Sequence, residues 1–154
     1  MTWLSCPCTG FQLGLRPGGG AGPVAHRLID GGADLIYGHS SHHPRPIEVY
    51  RGRLALYGCG DAINDYEGIR GYEQFRGDLR LLYFASLAAD TGALAALRMV
   101  PMQAKNMRLH HASAADSAWL ADVLNRVSRR FGSHISHQPD GALILHHPPA
   151  DHPR

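Results

Sequence analysis

Residues 33–43 read Ala33-Asp34-Leu35-Ile36-Tyr37-Gly38-His39-Ser40-Ser41-His42-His43, an apolar run closed by a glycine and then three histidines. The run 33–37 predicts a buried strand, and the carboxyl end of a strand is where α/β sheets place ligands and metals. Gly38 allows a sharp backbone turn, after which the imidazoles can converge on one point. Upstream, Val24-Ala25-His26-Arg27-Leu28-Ile29-Asp30 predicts a short helix, with Pro23 near its start and Gly31-Gly32 at its end. A helix, a strand and a histidine loop therefore follow one another and open onto a candidate site.

Downstream, residues 47–50 and 53–57 are two short β runs joined by Arg51-Gly52, the pattern of a hairpin. Residues 58–71 form a turn-rich loop carrying Asp61, Asn64, Asp65, Tyr66 and Glu67. Two longer strands are predicted at 78–87 and 93–103 around Asp90-Thr91-Gly92, paired antiparallel because the connection is short. The clearest helix is 114–131. Ser113 and Asp116 resemble a capping box, and Trp119, Leu120, Val123, Leu124, Val127 and Phe131 recur at helical spacing. That stripe reads as core, and Arg126, Arg129 and Arg130 read as a solvated helix end facing the dipole. A last strand is predicted at 142–146. Residues 1–22 are rich in Gly and Pro and predict neither helix nor strand, and 148–154 predict a disordered tail. Residues 23–147 form the folded part, of mixed α+β or α/β class.

Composition narrows the function classes. The chain has 154 residues, 44% hydrophobic and 18% charged, with a net charge of +2. That balance is too weak to point to nucleic acid or an anionic membrane. No run of about 18 apolar residues predicts an integral membrane segment, and the N-terminus lacks the pattern of a secretory signal. Three cysteines, Cys6, Cys8 and Cys59, give no disulfide framework and no zinc ribbon. Cytoplasmic is the default compartment. The outlier is the count of 11 histidines.

His39 and His42 are the first candidates for chemistry, since neutral imidazole ligates borderline transition ions. Spacing alone favours a structural or surface role; the strand-end placement narrows that difference. His43 precedes Pro44, which biases it to extended backbone and turns it away from its neighbours. Asp61 could ligate or orient a histidine, or serve only as a turn former; Asp65 reads as a turn former. Cys59, between two glycines, reads as a buried thiol. No catalytic residue is identified.

Residues 24–104 resemble the C-terminal half of the CapA family, bacterial poly-γ-glutamate capsule synthesis proteins. The resemblance rests on Ala25–Asp30, Gly32–Ile36, Gly38–His42, Ile47–Gly52 and Leu56–Asp61, in that order and spacing. It implies a calcineurin-like metallophosphoesterase fold, here a partial β-sandwich with flanking helices. It also implies divalent transition-metal ions, two in the family's complete site, with His39 and His42 as ligands and Gly38 and Asp61 in the supporting loop. The substrate it implies is a small molecule or polymer. Family members often carry a membrane anchor. The family's other ligand blocks, an early Asp motif, a Gly-Asp block and a Gly-Asn-His block, do not occur before Gly38. Residues 9–18 match nothing in it. A chain truncated or frame-disrupted before Pro23, with impaired hydrolysis, is therefore expected.

Overall fold

The computed structural model describes residues 3–5, 21–38, 41–62 and 76–147. Among the described residues, two sheets and two α-helices make a mixed α+β fold. The first sheet has the order β1-β2-β4-β3, from β1 (Trp3–Ser5), β2 (Leu35–Tyr37), β3 (Ile47–Tyr50) and β4 (Arg53–Leu56). β2 runs parallel to both β1 and β4, while β3 and β4 form the antiparallel hairpin expected from the sequence. The loop residues Arg51 and Gly52 both have positive φ, 49° and 75°, as a two-residue turn matched to strand twist requires.

The second sheet contains β5 (Leu79–Leu87), β6 (Leu94–Lys105), β7 (Arg108–His111), β8 (His134–His137) and β9 (Leu143–His146). β5 and β6 pair antiparallel over their length, as expected. β7 and β9 share the other edge of β6, and β8 pairs with β9.

Helix α2 (Ala114–Ser128) begins with the expected cap. The Ser113 Oγ accepts from Asp116 N at 3.1 Å and donates to the Asp116 carboxylate at 2.7 Å. Its last predicted turn is a 3₁₀ turn, Arg129–Phe131, ended by Gly132 at φ 70°. The apolar stripe divides. Leu120 and Leu124 join Leu35, Ile47, Leu54, Leu56, Leu79, Leu97, Met99 and Leu143 in a core shared by both sheets and α2. Phe131 instead packs behind the first sheet with Ala25, Ile29, Ile36, Ala55 and Tyr57, against α1 (Ala21–Asp30). This is the half-sandwich with flanking helices that the resemblance implies. The outer strand β3 is not left bare: buried Ser128 on α2 accepts from Ile47 N at 3.0 Å.

Three strands were not legible in the sequence: β1, β7 and β8. Contrary to expectation, the segment before residue 23 holds β1 and the start of α1. Trp3-Leu4 is a short β-prone pair that finds an open parallel edge on β2. The strand expected over 33–37 starts only at Leu35, because Ala33 and Asp34 lie in the turn leaving α1.

Candidate functional site

The histidine loop is fastened at both ends to one short stretch. Gly38 N donates to Leu56 O at 2.7 Å, and Cys59 N donates to Gly38 O at 3.2 Å. From the far end, Arg45 N donates to Gly58 O at 2.8 Å and Tyr57 N to Pro46 O at 3.1 Å, with Pro44 bridging to Cys59. Residues 56–59 thus form a floor to which both arms of loop 38–46 are tied.

The floor explains two glycines. A Cβ on Gly38 would lie 2.6 Å from Tyr57 O and 2.8 Å from Leu56 O, so only glycine lets the strands approach this closely. A Cβ on Gly58 would meet Ser41 Oγ at 2.4 Å and Arg45 Cγ at 2.5 Å, so Gly58 is the seat on which those side chains lie.

On this scaffold His42 Nδ1 approaches the two Asp61 oxygens at 3.2 and 3.1 Å. Asp61 in turn faces Arg80 Nη2 at 4.0 Å. Arg80 is 1% exposed, and its Nη1 donates to Leu79 O at 3.2 Å and to Gly77 O. A buried, backbone-held guanidinium therefore stands behind a carboxylate that holds a histidine. A carboxylate at Nδ1 accepts the ring proton there, which leaves the lone pair on Nε2, the nitrogen that ligates. The His42 side chain is 51% exposed, so solvent reaches the ring. Burial, then Arg45 and His42, depresses the affinity of the neighbouring His43 for a proton, which keeps it neutral. Burial pushes the Cys59 thiol up to about 12, so it is a protonated apolar filler, in keeping with the sequence reading.

His39 lies outside the described residues, as do Asn64, Asp65, Tyr66 and Glu67. Of the anticipated site residues, the structure brings together Gly38, His42 and Asp61. Among the described residues, no group of three or more His, Cys, Asp or Glu is placed to hold a metal ion. The donor chemistry of His42 and Asp61 fits a borderline divalent ion; by number, these donors make part of a site.

A second polar cluster, not legible in the sequence, lies behind the sheet. His26 Nε2 on α1 meets Glu48 Oε1 at 2.9 Å, and the Tyr57 hydroxyl donates to Glu48 Oε2. His26 also stacks on Tyr50, centroids 3.8 Å apart. Glu48 is 6% and Tyr57 7% exposed. Burial, then the Glu48 carboxylate, raises the Tyr57 phenol well above its ordinary range. Glu48 alternates with Ile47 and Val49 along β3, and the face it occupies is covered by α1, whose His26 meets it. The available signal was the pairing of His26 on a helix with Glu48 on a strand within the same short unit.

Residues 13–66, which include Gly38, His39, His42 and Asp61, match the family described as bacterial capsule synthesis protein PGA_cap. The match starts upstream of Pro23. A probable polyglutamine synthesis accessory protein of Mycobacterium tuberculosis, strain CDC 1551, is 50% identical over 134 residues, 87% of this chain and 35% of that protein. The counterpart in strain H37Rv gives the same figures. The PGA biosynthesis protein CapA of Bacillus subtilis is 43% identical over 42 residues, 27% of this chain and 11% of that one. The chain spans about a third of the length of the mycobacterial relatives. Among the described residues, no helix is long and apolar enough to cross a membrane.

Proposed function

This chain belongs to the CapA family of bacterial capsule synthesis proteins, and from that premise we propose that its histidine loop is one corner of a metal-dependent hydrolytic site acting in poly-γ-glutamate synthesis. His39 and His42 ligate a divalent transition ion, and Asp61 sets the ring orientation and tautomer of His42. The observation that carries the reading is the His42 Nδ1–Asp61 contact of 3.1 Å at the carboxyl end of β2. Such a carboxylate–imidazole pair raises ligand basicity and fixes the ligating nitrogen. The ion, when bound, would acidify a water and polarise the scissile group.

The protein's own contribution is positioning. Gly38 and Gly58 let the loop sit tightly on residues 56–59, and the buried Arg80 guanidinium stands 4.0 Å from the Asp61 carboxylate. Among the described residues no group of three or more donors is gathered, and two histidines with Asp61 orienting one of them fall short of the donor set a two-metal site needs; these 154 residues alone should therefore hold metal weakly and hydrolyse poorly. A non-catalytic binding role is the second reading, favoured by the missing third donor among the described residues.

The test is metal affinity in Asp61→Asn beside wild type. Loss of the orienting carboxylate should weaken binding of Mn²⁺ or Zn²⁺ by roughly 10–100-fold, as outer-shell changes at metal-ligating histidines do. Unchanged affinity would remove Asp61 from the site. Phosphoester hydrolysis by the purified chain at the rate of a complete two-metal enzyme would overturn the impairment while leaving the ligand assignment standing.

A further inference from the structure

We infer that the β8–β9 ladder carries a second, separate metal site: a two-imidazole chelate for a divalent transition ion, made by His134 and His146. These residues are direct partners in the antiparallel register, so their side chains leave the same face of the sheet. Both are exposed, whereas Ile135, Leu143 and Leu145 point the other way, into the core. The two rings already lie near one another, with centroids 6.0 Å apart and planes 32° apart. Two imidazoles bound to one tetrahedral ion through Zn–N bonds of ~2.0–2.1 Å have centroids roughly 5 Å apart.

A hydroxyl beside the pair lies within hydrogen-bond distance of one His146 ring nitrogen. Gln138 Nε2 donates to Ser136 Oγ at 2.8 Å, and Ser136 Oγ lies 2.8 Å from His146 Nε2. In the His146 tautomer that carries its proton on Nδ1, the Ser136 hydroxyl donates to Nε2. Nε2 is then the acceptor and carries the lone pair. An incoming ion replaces one weak hydroxyl contact at that nitrogen. Two protein nitrogens leave coordination positions for water or an outside donor, and imidazole pairs favour Cu²⁺ over Ni²⁺ and Zn²⁺. Because its ligands sit on opposite strands, the ion would also fasten the edge strand β8 to β9.

The test uses the full, untagged chain with Cu²⁺ and Ni²⁺ as probes. In calorimetric titrations, His134→Gln and His146→Gln should each weaken the tightest site at least tenfold, while His42→Ala leaves it unchanged. In wild-type protein, substoichiometric Cu²⁺ should broaden the NMR signals of residues 134, 136 and 146 first. This second readout needs no variant to fold. Equal affinity in both Gln variants, or broadening centred elsewhere, overturns the inference.

Discussion

Adding a methyl group at Gly38 tests the floor beneath the histidine loop. In Gly38→Ala the new Cβ would lie 2.6 Å from Tyr57 O, 2.7 Å from Tyr57 C and 2.8 Å from Leu56 O, all backbone atoms of the paired segment. They cannot move without disturbing β4, so the strands must part. Overpacking of this kind costs ~1–3 kcal/mol. The 2.7 Å bond from Gly38 N to Leu56 O weakens with it, adding ~1 kcal/mol. The sum, about 2–4 kcal/mol, corresponds to a fall in Tm of roughly 4–16 °C for a chain of this size. Gly58→Ala is the internal control. Its Cβ meets Ser41 Oγ at 2.4 Å, Arg45 Cγ at 2.5 Å and Arg45 Cβ at 3.1 Å, side-chain rather than backbone atoms, so its Tm should fall less. Calorimetric melts of the three proteins at neutral pH give the comparison. A Gly38→Ala melt within about 1 °C of wild type, or a larger loss in Gly58→Ala than in Gly38→Ala, would refute the argument.

Three further outcomes are expected. Glu48→Ala orphans the buried Tyr57 hydroxyl and should cost about 1–3 kcal/mol; in urea denaturation the Glu48→Ala/Tyr57→Phe double variant should lose less than the two single losses added together, since they share one contact. Ser128→Ala removes the acceptor for Ile47 N–H and should also cost about 1–3 kcal/mol, with faster amide exchange at Ile47 as its signature. Asp78 is held down to about 2 from 3.8, chiefly by its hydrogen bonds with Arg76. Its folded pKa lies below its unfolded one, so its stabilisation is present above about 4 and disappears as pH falls through about 2; the gap in Tm between wild type and Asp78→Asn should close over that window, and a constant gap would contradict the assignment.

The elements legible in the sequence are those whose determinants are local. The hairpin 47–56 announces itself through Arg51-Gly52, and α2 through Ser113–Asp116 and the spacing of Leu120 and Leu124. β7 and β8 are not legible because Arg108-Leu109-His110-His111 and His134-Ile135-Ser136-His137 carry one apolar residue each; their pairing with β6 and β9 makes them strands. β1 depends in the same way on the edge that β2 offers. At the site, the glycine and the histidine loop stand out in residue order, whereas Asp61 remains open there between ligand, orienting group and turn former, and its contact with His42 comes from the fold. The role of Arg80 could not, since it reaches Asp61 from another sheet. Nor could the burial of Glu48, which follows from where α1 lies.

The central claim is that His39 and His42 hold a transition metal. The most direct measurement is elemental analysis of untagged protein after equilibrium dialysis against Mn²⁺ or Zn²⁺, which registers weak binding, in a His134→Gln/His146→Gln background that silences the edge-strand pair. The account predicts bound metal in that background and its loss when His39→Ala and His42→Ala are added. Equal metal content with and without those two histidines, or no metal in either protein, would contradict it.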